Sequence, residues 1–151
     1  MMRIFRAYCV AICLSAIFLF VGCTGGLEKF PLVDVSGTVT CEGKPVPNAI
    51  VFFEPLRSGE SATTGKQGFA TTDSEGRFVV STYGENDGAV VGKHIIRVGK
   101  TETSPPCDCA LNANVELKQV EISGDEPIEL AFELPKKSRR QRDEVLEDDD
   151  E

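Results

Sequence analysis

The chain has 151 residues, with 24 acidic against 16 basic side chains and a formal net charge of −8 at pH 7. This acidic balance argues against a nucleic-acid partner, whose phosphates require a basic face, and against adsorption to anionic lipid. With 14 glycines, no tryptophan and one histidine, the composition is typical of an all-β domain with tight turns.

The N-terminus carries the pattern of a secretory signal. Arg3 and Arg6 precede an apolar run over residues 7–21, which ends on the small residue Gly22. A bilayer-spanning helix takes about 20 apolar residues, so a run of this length is marginal as an anchor. A basic segment, a short apolar segment and small residues at the cut instead indicate a signal peptide.

Cys23 directly after Gly22 makes the segment similar to a bacterial lipoprotein signal, with Phe20 where that family usually has Leu. The resemblance implies cleavage of the signal peptide, residues 1–22, and lipidation of Cys23 by a diacylglyceryl thioether and an N-acyl chain such as palmitate. More than one acyl chain gives lasting attachment. We therefore expect a location at the cell envelope, on a membrane, facing the periplasm or the exterior. A plain signal peptide and an uncleaved anchor helix remain the alternatives.

Cleavage after residue 22 leaves 151 − 22 = 129 residues and removes two arginines, so the net charge becomes −8 − 2 = −10. Residues 23–32 read as a lipidated tether, in which Gly25 and Gly26 supply flexibility. The remaining length suits one domain.

Residues 33–134 show short alternating runs separated by turn residues and no helical period, which predicts a β-sandwich. The spacing is that of a seven-stranded antiparallel immunoglobulin-like fold. The seven predicted strands are 33–40, 49–54, 68–72, 77–82, 94–98, 115–122 and 127–134. The segment "DSEG", 73–76, is predicted as a hairpin loop between the third and fourth of them.

Residues 135–151 differ in kind from the domain. Five cations lie in 136–142 and seven acids in 143–151, and such blocks usually stay disordered because they bury no apolar surface. A solvated charged tail is the prediction, and a docking peptide for a partner is the alternative.

Three motifs in order resemble the carboxypeptidase regulatory-like, transthyretin-like β-sandwich domains. They are "VSGTVTCEGKPVPNAIVFF" (35–53), "TTDSEGRF" (71–78) and "YGENDGAVVGKHIIRV" (83–98). The segment 100–114, with "PPCDC", departs from the family pattern. The resemblance implies an accessory module without catalysis, since the regulatory domain of carboxypeptidases is itself non-catalytic.

Catalytic residues are not predicted. His94 is the one histidine and sits inside an alternating strand, where a half-buried structural side chain is expected. Related enzymes of the transthyretin-like hydroxyisourate hydrolase and intradiol dioxygenase types need more His and Tyr than the mature chain has. The alternative from another class is a periplasmic carrier or enzyme-like module, with a pocket converging on His94, Arg97 and Tyr83.

Asp73, Glu75, Asn86 and Asp87 offer oxygen ligands of the hardness that calcium prefers. They stand in "DSEG" and "ENDG", where turns use the same residues for hydrogen bonds to their own backbone. Structural turns are the prediction and a calcium site is the alternative. No cofactor is predicted.

Cys41, Cys107 and Cys109 remain after the signal and Cys23 are set aside. Disulfides persist in exported proteins, so Cys41 is expected to pair with one cysteine of "PPCDC" and leave one thiol over. Three free thiols are an alternative, and so is a zinc site that adds His94 to the three sulfurs. A bridge between Cys107 and Cys109 is disfavoured because it would close a small strained ring.

The sequence thus predicts a lipid-anchored β-sandwich that acts as a non-catalytic binding or structural module. Its expected partners are the membrane, through the lipid on Cys23, and an envelope protein or polysaccharide. Fold alone does not identify the ligand.

Overall fold

The computed structural model describes residues 29–57 and 64–137, which contain ten β-strands and no helix. The predicted signal peptide, the lipidation site Cys23 and residues 138–151 of the predicted tail lie outside these ranges. The strands are β1 (Leu32–Val33), β2 (Val35–Cys41), β3 (Lys44–Pro45), β4 (Ala49–Pro55), β5 (Gly68–Thr71), β6 (Arg77–Val79), β7 (Ala89–Val90), β8 (Gly92–Lys100), β9 (Lys118–Ile122) and β10 (Ile128–Glu133).

The predicted all-β class is confirmed, and each of the seven predicted strands overlaps a strand of three or more residues. The two-residue strands β3 and β7 were not predicted, and the two-residue β1 overlaps the predicted strand 33–40 only at Val33. A strand of two residues is too short to show an alternating pattern, so it is recognised only by its pairing with another strand.

Two four-stranded sheets and a two-stranded ribbon make up the described part of the chain. The first sheet has the order β10-β2-β3, and β6 also pairs with β2. The second sheet has the order β5-β4-β8-β9, and all its pairs are antiparallel. The ribbon joins β1 to β7.

One pair differs from the predicted antiparallel arrangement. β2 and β10 run parallel, with Val35 opposite Ile128 and Thr40 opposite Glu133. Parallel neighbours require a long crossover, and here the chain between them passes through the second sheet. The alternation within each strand is the same for either direction, so the sequence pattern does not reveal this pairing.

The two sheets share one hydrophobic core, which is compatible with a β-sandwich. Alternate residues of β2, β4, β5 and β6 are buried, as in β2, where Val35 and Val39 are 1% and 0% exposed. Phe53 of the second sheet lies with its ring centroid 6.1 Å from Phe78 and 6.3 Å from Phe132, which belong to the first. These three rings therefore join the sheets at the centre of the core.

The "DSEG" turn links the two sheets and is not a hairpin loop within one of them. The Thr72 N–H donates to the Ala49 carbonyl of the second sheet, at 2.9 Å, while Arg77 opens β6 in the first. Across the turn the Asp73 N–H donates to Arg77 O at 2.9 Å, and an isolated β-bridge joins Phe69 of β5 to Ser81, two residues after β6. Local composition predicts a turn, but the sheet that the next strand joins depends on tertiary packing.

Candidate functional site

Three sulfur atoms meet at one end of the first sheet and define the cysteine cluster, Cys41, Cys107 and Cys109. The structure joins Cys41 to Cys109 in a disulfide with a Cα–Cα distance of 5.9 Å. Cys107 keeps a free thiol, and its Sγ lies 3.9 Å from Cys41 Sγ. Every pair of the three sulfurs lies within 4.8 Å.

A two-residue turn and a long loop bring these cysteines together. β2 ends at Cys41, and Glu42 and Gly43, with φ of 53° and 74°, return the chain to β3. Positive φ at both central residues is the geometry of a type I′ hairpin. The other two cysteines lie in the loop of residues 101–117, between β8 and β9 of the second sheet.

The end of the described chain fastens that loop to the first sheet. The Ala110 N–H donates to Pro135 O at 2.8 Å, and the Lys137 N–H donates to Asp108 O at 2.7 Å. Cys109 also forms a β-bridge with Lys136. Residues 135–137 therefore pack with the folded domain, three residues beyond its predicted boundary at 134.

The three sulfurs differ in environment. Cys109 is fully buried, whereas Cys41 and Cys107 are partly exposed. The Cys109 N–H donates to Cys107 Sγ at 3.2 Å, and the Cys107 thiol points back to Cys109 O at 3.6 Å. These two contacts hold the free thiol beside the disulfide.

A surface groove of about 260 Å³ opens next to the cluster, and Cys41 and Cys107 form part of its wall. Its other walls are rigid, because prolines fix their own φ. The prolines are Pro45, Pro47, Pro105 and Pro106. Glu42, Lys44 and Asp108 add charges of both signs. Two proline-containing segments, "KPVP" and "PPCDC", were visible in the sequence, but their approach was not.

The structure does not gather the four calcium candidates. The turn with Asp73 and Glu75 lies beside Val39, whose N–H donates to Gly76 O at 2.8 Å. The loop with Asn86 and Asp87 lies at the other end of β2, where the space beside Gly88 is filled by Val33 O. Among the described residues, the cysteine cluster is the one group with metal-ligand spacing.

The carboxylate of each candidate aspartate accepts hydrogen bonds from backbone N–H groups of its own turn. Asp73 Oδ1 accepts the Glu75 and Arg77 N–H groups at 2.8 and 2.9 Å. Asp87 accepts the N–H groups of residues 82, 83 and 84. Desolvation by burial acts to raise the pKa of Asp87, but the backbone donors outweigh it and leave that pKa below its ordinary value.

The alternative carrier or enzyme-like module would need a pocket that gathers His94, Arg97 and Tyr83, and these side chains do not converge. His94 and Arg97 are three residues apart on β8, so they point to opposite faces. Arg97 pairs with Glu54 at 3.2 Å, and the Tyr83 hydroxyl accepts the Phe30 N–H at 3.1 Å. The three side chains therefore serve separate contacts.

His94 lies in the core and away from the cysteine cluster. Its Nε2 lies 2.6 Å from Val90 O, which requires the proton on Nε2, and its ring meets Phe53 edge-on at 6.2 Å. Burial lowers the pKa of His94 below its usual value, and the backbone carbonyl contacts oppose this only in part. The structure thus does not add His94 to the three sulfurs as a fourth zinc ligand.

Comparison with known proteins does not assign the chain to a family. No protein-family model matches it, and no curated protein matches it. Across residues 29–57 and 64–137, no helix is long and apolar enough to span a membrane.

Proposed function

We propose that this protein is a lipid-anchored module of the cell envelope, whose domain holds the cysteine cluster and its groove away from the membrane. The lipid is carried by Cys23, after removal of residues 1–22, and the domain acts by binding or scaffolding without catalysis. The fold is a transthyretin-like, immunoglobulin-like sandwich of the carboxypeptidase regulatory type. The seven strands of three or more residues support that fold.

The proposal depends on the positions of the tether and the cysteine cluster, which lie at opposite ends of β2. The chain enters through β1 and begins β2 at Val35, while Cys41 ends the same strand. A strand rises by about 3.3 Å per residue, so these two ends lie about 20 Å apart. A lipid at the Val35 end would therefore leave the groove at the far end free for a partner.

The tether joins the domain near the Val35 end of β2. Leu32 and Val33 pair with Val90 and Ala89, and the Phe30 N–H donates to Tyr83. The chain is thus held to the domain from residue 30 onward. Only residues 23–29 would separate the lipid from the first contact, and seven residues extend by at most about 25 Å.

A binding role suits the side chains that the domain offers. Its one histidine is neutral, buried and hydrogen-bonded to Val90, so it serves packing and not proton transfer at a surface. Its groove offers a partner rigid proline walls and charges of both signs. An envelope protein or polysaccharide is the partner class that we propose.

The anchor is tested by the mass of the N-terminal peptide from the membrane fraction. We expect a cleaved peptide that begins at Cys23 and carries the lipid mass. The Cys23→Ser variant should appear in the soluble fraction, or stay unprocessed on the membrane through its signal. Wild-type protein without lipid mass on Cys23 would contradict the proposal.

The role of the groove in binding is tested by pull-down from detergent-solubilised envelopes with the lipid intact. Lys44→Glu reverses a charge on the groove wall, and Lys118→Glu makes the same change on β9, outside the groove. We expect the captured partner to be lost with the first variant and kept with the second. Equal capture by both variants would remove the groove from the proposed function.

A further inference from the structure

The cysteine cluster contains one sulfur more than its disulfide uses. Cys107 Sγ lies 3.9 Å from Cys41 Sγ, and the Cys109 N–H holds it there at 3.2 Å. Exchange begins when a thiolate attacks one sulfur of a disulfide and forms a bond to it. A nucleophile and its target are therefore already neighbours.

We infer that the cysteine cluster is a thiol–disulfide exchange site, which interconverts two disulfide isomers and reacts with a thiol in the groove. In the first step the Cys107 thiol loses its proton, and its sulfur bonds to Cys41 Sγ. The Cys41–Cys109 bond breaks, and its electron pair leaves on Cys109 Sγ, which takes up a proton. One disulfide and one thiol are present before and after, so the step needs no oxidant or reductant.

The step requires a rotation of the Cys107 side chain. The three sulfurs form a triangle, since every pair lies within 4.8 Å. Attack needs the entering and leaving sulfurs on opposite sides of Cys41, so Cys107 Sγ has to swing into line. Its partial exposure, beside the open groove, leaves room for that movement.

The two isomers differ in what the groove exposes. In the isomer of the structure, the bridge includes Cys109, which is fully buried. In the second isomer the bridge joins Cys41 to Cys107, and both line the groove. An incoming thiolate then bonds to Cys107 Sγ, and Cys41 Sγ leaves with the electron pair and takes up a proton.

The ligand class of the site is accordingly a thiol, supplied either by a small molecule or by a cysteine of a partner protein. This inference deepens the proposed function by naming the partner's chemistry at the groove. Its first test uses the purified chain and does not depend on the lipid. Failure of exchange and failure of anchoring are therefore distinguishable.

The first experiment locates the free thiol of the oxidised wild-type protein. The chain is incubated at neutral pH without reductant and quenched in acid, where thiolates are absent and exchange stops. It is then alkylated in acidic denaturant and digested, and tandem mass spectrometry identifies the labelled cysteine. We expect label on both Cys107 and Cys109. Label confined to Cys107 at every incubation time would overturn the inference.

Two variants make the result specific. Cys109→Ser should form the Cys41–Cys107 bridge, which shows that the second isomer fits the fold. Cys107→Ser retains the Cys41–Cys109 bridge and should lose the mixed disulfide that wild type forms with added reduced glutathione. Equal glutathione incorporation by wild type and Cys107→Ser would also overturn the inference. So would a metal ion bound by all three sulfurs in freshly purified protein, detected by native mass spectrometry.

A final arm separates the two sources of the thiol. Envelopes are alkylated before lysis, and the chain is examined on a non-reducing gel with Cys107→Ser as control. A protein-sized covalent complex that reductant removes, and that the variant lacks, indicates a cysteine of a partner protein. An adduct of small-thiol mass that intact-mass spectrometry finds on the wild-type chain but not on the variant indicates a low-molecular-weight thiol. Wild-type chain that carries neither adduct would overturn a reaction with a thiol at this site.

Discussion

The disulfide between Cys41 and Cys109 should contribute a large share of the stability of this domain. The two cysteines are 68 residues apart in sequence, so the bridge closes a long loop of the unfolded chain. In the chain-entropy model, a loop of that length removes about 15 cal/mol/K, or about 4 kcal/mol at 25 °C. Stabilities of single domains are about 5–15 kcal/mol, so loss of the bridge should be plainly measurable.

Reduction is a better perturbation than substitution at this site. Cys109 is fully buried, and a serine there would add the cost of an unpaired hydroxyl. A reduced cysteine behaves as a small hydrophobic side chain, so reduction mainly releases the loop. Cys107→Ser is the suitable background, because it retains the bridge and prevents exchange.

The assay is urea unfolding of Cys107→Ser with and without a phosphine reductant. With an m value of about 1–3 kcal/mol/M, the midpoint should fall by about 1.3–4 M on reduction. A variant that lacks all three cysteines should show no response to the reductant. A loss below about 1 kcal/mol in Cys107→Ser would refute the assignment of this stability to loop closure.

Three further predictions concern the turn, the buried histidine and the tail. Gly76→Ala should cost more than about 1 kcal/mol, because φ is +73° and the new Cβ would lie 2.6 Å from Val39 O. Asp73→Ala should lower the free energy of unfolding by about 0.5–2 kcal/mol, because two backbone N–H groups lose their acceptor. Thermal melts of both variants should be the same in calcium and in chelator. A calcium-dependent rise in the wild-type melting temperature that Asp73→Ala abolishes would contradict this. Burial lowers the pKa of His94 in the folded state. As the pH falls through about 6.5, the unfolded state therefore binds more protons than the folded state. The free energy of unfolding should decrease from that pH down to the pKa of the folded state. Denaturant midpoints between pH 7.5 and 5 should show a weaker decrease in His94→Leu, and an unchanged slope would exclude His94 as its source. Deletion of 138–151 should leave the midpoint of thermal unfolding nearly unchanged. Deletion of 136–151 also removes the hydrogen bond from Lys137 to Asp108 and should lower that midpoint. A drop of several degrees on deletion of 138–151 alone would mean that this segment docks on the domain.

The sequence determined the local part of this structure. In β10 and at Leu134 directly after it the predicted alternation is present, since Phe132 and Leu134 are buried while Glu129 and Glu133 are exposed. Alternation follows from the pleat of a single strand, so it needs no knowledge of the partner strand. The Gly76 turn was likewise readable, because its positive φ is a local demand that glycine meets.

The candidate site was only half readable. Three cysteines in a domain that we expect to be exported predicted one disulfide with a spare thiol, but spacing left the second partner of Cys41 open between Cys107 and Cys109. The two differ by two positions in one loop, so loop-closure entropy hardly distinguishes them. In the structure the partner is Cys109, which is fully buried and forms a β-bridge with Lys136 of the chain after β10.

Tertiary structure alone decided which residues became neighbours across the sheets. The parallel pairing of β2 with β10 brings residues 135–137 to the cluster, and the direction of β6 sends Asp73 and Asp87 to opposite ends of β2. Neither follows from periodicity, because a strand shows the same alternation whichever way it runs and whichever strand it meets. Strand direction and strand partner are set by the packing of the shared core, and they determine that the groove, the disulfide and the free thiol lie at one end.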